Sequence, residues 1–217
     1  MRLIHRAGVI YKERGAGGVF IRGLKKMLKP FYETNSALWF ERDLRLKLPH
    51  LITKITAAAD LSAKNETIDW IKNNGESWMF NPRELKSGLS ENHLFPHLKY
   101  ENKIIGYAKV GLNRVHIQDF QKAITLPADF AFIYDTYVVP EYRRFNLAPF
   151  LIKEVMSYLK KRGIKRMGCH IPSWNIASIS VYAKLGFRRI NYIRYFRIFG
   201  FKIFTANPER VYNLKER

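Results

Sequence analysis

The sequence predicts an α+β fold, and three stretches carry that prediction. Tyr134, Thr136, Tyr137, Val138 and Val139 are β-branched or aromatic residues that favour a strand. Pro140 has no N–H to give a ladder and stops it. After a short basic loop, Leu147, Phe150, Leu151, Val155, Met156 and Leu159 recur at helical spacing. Lys160, Lys161, Arg162 and Gly163 close that helix. Asn175 to Phe187, reading NIASISVYAKLGF, forms a second helix, capped by Asn175 and ended by Gly186.

Taken in order, residues 1–45 read as a basic helical extension outside the main sheet. Val19, Phe20, Leu24, Met27 and Leu28 mark an apolar face. Arg22, Lys25, Lys26 and Lys29 supply the polar side, and Pro30 limits the helix. Such a helix either packs on the main domain with a solvated basic face or lies on an anionic membrane surface. The N-terminus does not read as a signal peptide, because Lys12, Glu13 and Arg14 interrupt any apolar core. No stretch approaches the roughly 18 to 20 apolar residues that span a bilayer. The expected setting is the cytoplasm, soluble or peripheral at the membrane.

The main domain is expected over residues 46–217. Leu51 to Thr56 reads as its first strand, and Thr67 to Asn73 as a helix. Residues 74–96 are irregular, punctuated by Gly75, Pro82, Gly88 and Pro96. Leu98 to Tyr100 and Ile104 to Val110 are two strands around a Glu101-Asn102-Lys103 turn. Asp129 to Val138 is the central strand, and Arg166 to Ile171 precedes the second helix. Phe187 to Phe196 and Phe201 to Thr205 are the last strands, turning near Phe199 and Gly200.

The chain has 217 residues and is 47% hydrophobic, enough for a buried core with an appendage. Its charge is lopsided, with 38 Lys and Arg against 18 Asp and Glu, a net +20. That surface attracts polyanions: nucleic acid, anionic lipid or phosphorylated substrates. The single cysteine, Cys169, excludes an internal disulfide and a cysteine metal cluster. It lies in an apolar strand and reads as a buried, inert thiol. His93, His97 and His116 show no metal-ligand spacing with acidic partners, so no metal is expected.

The loop-to-helix stretch VVPEYRRFNLAPFLI resembles motif A of the GNAT acyltransferase superfamily. There a strand ending V-x-P precedes [Q/R]-x-x-G-x-[G/A], whose amides bind the pyrophosphate of acyl-CoA. The six loop positions here are Arg143, Arg144, Phe145, Asn146, Leu147 and Ala148. Arg143 and Ala148 fit. Asn146 and Arg144 stand where glycine is common, and Asn is the best other residue at positive φ. Asn175, Ser178, Val181, Tyr182, Lys184, Gly186 and Phe187 match motif B of the same superfamily. Ile104-Ile105-Gly106-Tyr107 is similar to a strand common in it. The resemblance covers about residues 50–205. It implies an α/β/α GNAT fold: a mixed, mostly antiparallel sheet of six to seven strands flanked by helices. One copy of each motif excludes a tandem arrangement.

The resemblance implies an N-acyltransferase, most simply an N-acetyltransferase using acetyl-CoA, whose amine acceptor attacks directly in a ternary complex. The pantetheine arm enters between the splayed strands Asp129–Val138 and Arg166–Ile171. Backbone at Val138 and Val139 and the loop Arg143–Ala148 hold the cofactor, with Asn175 and Ser178 beside them. A backbone N–H near Val138 polarises the thioester carbonyl. Tyr182 is the expected general acid on the leaving sulfur. A phenol is protonated at neutral pH, as an acid must be. Asp135 is the best-placed carboxylate for a base, with pairing to a nearby Lys or Arg as its other role. His170 is a second titratable candidate or a half-buried strand residue. His93 and His97 are candidates to touch the acceptor. The charge favours a phosphorylated or nucleotide-linked amine over a polyamine. The alternative is a catalytically weak module that binds nucleic acid or an anionic membrane through its basic face.

Overall fold

The computed structural model describes residues 32–62, 64–74, 93–117, 120, 122–199, 201–207 and 211. By internal packing the chain forms a main unit, residues 37–193 and 207–217, and a smaller one, residues 1–36 and 194–206. The expected basic helix at residues 19–29 lies outside the described residues.

The strands are β1 (Tyr32–Asp43), β2 (Ala58–Asp60), β3 (His97–Tyr100), β4 (Lys103–Leu112), β5 (Arg114–Ile117), β6 (Lys122–Thr125), β7 (Phe130–Val138), β8 (Arg166–Pro172), β9 (Arg188–Ile198) and β10 (Phe201–Phe204). The helices among the described residues are α1 (Lys64–Asn74), α2 (Leu147–Lys161) and α3 (Ile176–Lys184). Within the main unit, strands pair in the order β1–β8–β7–β4–β3–β2. Only β7 and β8 run parallel; the other pairs of that series are antiparallel. The fold is therefore α+β with a mixed, mostly antiparallel sheet, as expected. β5 and β6 form a separate two-stranded ribbon, which the sequence analysis did not anticipate. In the smaller unit, β9 and β10 form a hairpin, with Phe201 opposite Ile198 and Phe204 opposite Tyr195.

Two expectations are corrected. Residues 32–43 are strand, not helix: Ala37 to Asp43 lie opposite Pro172 to Arg166 of β8. Trp39 is fully buried and meets Phe132 at 5.9 Å, while Phe40 enters the core on the other face. Tertiary pairing, not helix propensity, decides this segment. Leu51 to Thr56 is not a strand. Its backbone bonds go to the loop after β7, with Lys54 N donating to Phe145 O at 3.3 Å and Ile52 O accepting from Asn146 Nδ2 at 3.1 Å. The strand here is the short β2, opposite β3.

The core lies between α2 and the sheet. Leu147, Leu151, Ile152, Val155, Met156 and Leu159 are buried on one helix face against Ala131, Ile133, Met167 and Cys169. That is the three- and four-residue spacing of an amphipathic helix. The β3–β4 turn places Glu101 and Asn102 at φ 48° and 60°, the left-handed pair of a tight two-residue hairpin loop. A bulge between Lys109 and Val110 then shifts β4 against β7.

Candidate active site

The site is built where β7 and β8 part. Their parallel register runs from Phe130 opposite Arg166 to Ile133 opposite Cys169 and goes no further, although β7 continues to Val138. On its other edge β7 stays paired with β4, and Val139 N donates to Ile105 O at 2.9 Å. Antiparallel N–H groups alternate between edges. Val138, one residue earlier and opposite Gly106, thus directs its N–H towards the gap left by β8. Gly106 is required there, because a Cβ on it would sit 2.7 Å from the Tyr137 carbonyl oxygen.

A cavity of about 580 Å³ opens from this gap. Val138, Arg143, Arg144, Asn146, Leu147, Ala148, Asn175, Ser178 and Tyr182 all line it. Of the residues expected at the site, Val139, Phe145 and Asp135 do not. Val139 faces β4 through its N–H. Phe145 packs against the core from the loop.

The loop explains the two non-glycine positions. Pro140 to Tyr142 form one 3₁₀ turn, after which Arg144 and Asn146 adopt φ 71° and 60°. These are the positions where the resemblance leads one to expect glycine. Asn146 sits at φ 60° and ψ 26° as the residue preceding α2. Its side chain is anchored to Ile52 O, which fixes the left-handed turn. Among the described residues, the N–H groups of Arg144, Phe145, Asn146, Leu147 and Ala148 find no protein acceptor. The left-handed turns at Arg144 and Asn146 gather successive N–H groups into a concavity that suits an anion. The positive end of α2 adds to it. Arg143 lines the same cavity, and its own N–H is taken by the Pro140 carbonyl at 3.2 Å. Its Nε donates to Val138 O at 3.0 Å, and its guanidinium lies over the Tyr137 ring at 5.7 Å.

Asn175 Oδ1 accepts from Ser178 N at 3.1 Å, so Asn175 caps α3 and thereby aims it. Tyr182, one face along that helix, is 6% exposed and packs edge-on against Phe187 at 5.0 Å. Its hydroxyl lies 3.4 Å from Thr136 Oγ1 on β7. Burial pushes the phenol well above its usual range, and the nearby Cys169 and Asp135 act in the same direction. The group is a protonated donor at neutral pH. Thr136 was not anticipated, although it shares the β7 stretch with Tyr134 and Tyr137.

Asp135 is engaged elsewhere. Lys109 Nζ lies 3.2 Å from its Oδ2, and Tyr107 Oη donates to the same oxygen at 3.0 Å. Lys109 is 2% exposed. The pairing role weighed for Asp135 in the sequence is the one its geometry carries. His170 stacks on Phe132 at 5.8 Å and 9°. His93 bonds the Arg114 carbonyl at 2.7 Å, and His97 bonds Thr67 at 2.9 Å. Both are buried. Cys169 is buried and its thiol pushed up by burial.

The model of the acetyltransferase (GNAT) family matches residues 61–187. No curated protein matches the chain significantly. Among solved structures, a GCN5-related N-acetyltransferase from Sphaerobacter thermophilus is 14% identical, with a TM-score of 0.54. It is matched over 86% of this chain and 57% of its own. A tandem GNAT protein from the clavulanic acid biosynthesis pathway is 12% identical with a TM-score of 0.52, over 82% of this chain and 58% of its own. The chain spans about three fifths of the length of the solved chains it matches first, 63% and 58%.

Proposed function

The chain belongs to the acetyltransferase (GNAT) family, and from that premise we propose that it transfers an acyl group from acyl-CoA, most simply acetyl-CoA, to a primary amine. One observation carries the reading. A row of uncommitted loop amides, a strand gap and a buried phenol line a single cavity, in the order that pyrophosphate, pantetheine and thioester require.

Acyl-CoA supplies an activated thioester. The N–H groups of residues 144–148 hold its pyrophosphate, and Asn146 fixes their direction. The β7–β8 gap admits the pantetheine arm. Val138 N–H donates to the carbonyl oxygen as negative charge develops there, an oxyanion-type contribution. The amine nitrogen forms its bond to the acyl carbon as the C–S bond breaks. Tyr182 gives its proton to the departing sulfur. The amine's surplus proton passes to solvent, and a proton from solvent restores the Tyr182 phenol, so the cycle closes. Asp135 and Lys109 hold β4 to β7 beneath the site, and we assign Asp135 no proton transfer. The acceptor favoured by a net charge of +20 is an amine on an anionic molecule, phosphorylated or nucleotide-linked.

Calorimetric titration with CoA at low salt tests the cofactor half. One site per chain is expected, weakening as salt rises because the phosphates are partly exposed. Absence of CoA binding at low salt would sink the reading. Transfer is then measured as thiol release over a panel of phosphorylated and neutral amines.

A further inference from the structure

We propose that Asp60, Glu66 and His97 form a binding site for one divalent transition-metal cation, zinc being the best chemical match. The site lies at the β2–β3 edge of the sheet, apart from the acyl-CoA cavity. A ligand atom from each of the three residues lies within 4.8 Å of the other two.

The fold brings them together from three elements. Asp60 on β2 is directly opposite His97 on β3, so their side chains share a face. Glu66 comes from the first turn of α1. Its Oε2 lies 3.9 Å from His97 Nε2. Asp60 is oriented by Ser62, whose N and Oγ both donate to Oδ1 at 2.9 Å.

The imidazole supplies the decisive observation. His97 is fully buried, and among the described residues its Nε2 has no hydrogen-bond partner. Its tautomer follows from the neighbours. Thr67 Oγ1 gives its proton to the Phe95 carbonyl oxygen at 2.5 Å. It therefore accepts from His97 Nδ1, 2.9 Å away. With Nδ1 carrying the proton, neutral His97 presents a lone pair at Nε2, aimed at the carboxylates. This is the outer-shell arrangement that orients metal-binding histidines.

One nitrogen and two carboxylates match the ligand chemistry of zinc, with an open fourth position for water. The two negative charges balance a dication. Bond lengths of about 2.0–2.2 Å put ligand atoms roughly 3.3–3.6 Å apart, so the present trio must close by about 1 Å. Glu66, about half exposed, is free to do so. Lys99 Nζ now bonds both Glu66 oxygens, at 2.7 Å to Oε1 and 2.9 Å to Oε2, so a cation must displace it. It is partly exposed and can swing out. A bound cation would clip α1 and the short β2 to β3.

The test uses the untagged full chain, stripped with a chelator and titrated with ZnCl2. One binding event per chain is expected by calorimetry, with a melting temperature about 5–10 °C higher at a hundredfold excess over Kd. Glu66→Gln and Asp60→Asn should each weaken binding at least tenfold. Each carboxamide keeps the side chain's shape and an acceptor oxygen, and the metal-free melting temperature is measured beside the affinity so that a folding loss is separated from a binding loss. His97→Gln should abolish binding, but it alters a buried group and serves only as support. No heat and no thermal shift in the native chain would overturn the proposal. So would unchanged affinity in both carboxamide variants, because the metal would then sit on other residues. The titration needs no acyl transfer, so its failure and failure of the enzymatic reading are distinct.

Discussion

Replacing Tyr182 with Phe removes one oxygen and leaves the ring against Phe187. The structural cost of that change is bounded by the geometry. The hydroxyl lies 3.4 Å from Thr136 Oγ1, well beyond the 2.7–2.8 Å common for O–H···O bonds. Such a contact belongs at the low end of the net range, about 0.5 kcal/mol. For a domain of this size that is a loss of about 1–2 °C in melting temperature. The chemical cost is much larger if the phenol protonates the sulfur. General acid catalysis contributes about 10²–10⁴-fold, which is about 2.7–5.5 kcal/mol of transition-state stabilisation. The two magnitudes do not overlap.

The assay is steady-state thiol release from acetyl-CoA, with an amine that the panel identifies, on native and Tyr182→Phe protein. CoA affinity and thermal unfolding are measured on the same samples. We expect kcat to fall at least a hundredfold, with CoA affinity within twofold and melting nearly unchanged, because the loss is confined to the transition state. Turnover within twofold of native would remove Tyr182 from the mechanism. A large drop in melting temperature with intact turnover would make its hydroxyl a structural group.

Three further outcomes follow from particular contacts. Asn146→Ala places a Cβ-bearing residue without a local side-chain bond at φ 60°. It should cost about 1–2 kcal/mol and raise the KM for acyl-CoA, whereas Asn146→Gly should retain CoA binding by calorimetry. Asp135→Asn leaves Lys109 buried without its carboxylate and should destabilise by about 3–5 kcal/mol in denaturant unfolding. Loss of turnover with stability intact would instead restore Asp135 as a base. Alkaline stability should fall in two steps, because Cys169 and Tyr182 have folded pKa values well above their ordinary 9 and 10. A raised folded value gives stability that is whole below the unfolded pKa and declines above it. Unfolding followed from pH 8 to 11 should show loss beginning near pH 9, and Cys169→Ala should move that onset to about pH 10.

The fold was legible wherever a local signal and a long-range partner agree. α2 and α3 fall where apolar spacing and their end signals put them, and the β3–β4 hairpin turns where Glu101 and Asn102 suggest. Legibility failed where the partner was distant. Residues 32–43 carry no strand pattern strong enough to read alone; β8, more than a hundred residues later, makes them one. Leu51 to Thr56 has good strand composition, yet its backbone is claimed by the loop around Asn146. The site shows the same division. The loop and Tyr182 were singled out because the motifs that carry the resemblance are read along single chain segments, and both line one cavity. The Lys109–Asp135 pair and the Asp60–Glu66–His97 group depend on register between strands, which spacing cannot reveal.

The loop at Arg144 and Asn146 links the two kinds of information. Sequence alone makes these residues look like departures, since glycine reaches positive φ at least cost. The structure gives both residues left-handed backbone regardless, so the geometry is kept while the residue changes. What offsets the strain at Asn146 is a contact from elsewhere in the chain: its side-chain amide donates to Ile52 O. Lys54 N, two residues on, bonds the Phe145 carbonyl from the same segment. Leu51 to Thr56 thus acts as a brace for the cradle, and its failure to become a strand is the cost of that task. The brace makes a separable claim. Ile52→Pro keeps the accepting carbonyl, while Lys54→Pro removes the N–H that meets Phe145. If the brace sets the loop, Lys54→Pro should weaken CoA binding more than Ile52→Pro, although neither residue lines the cavity. Equal affinities in the two variants would show that the loop holds its left-handed turns by itself.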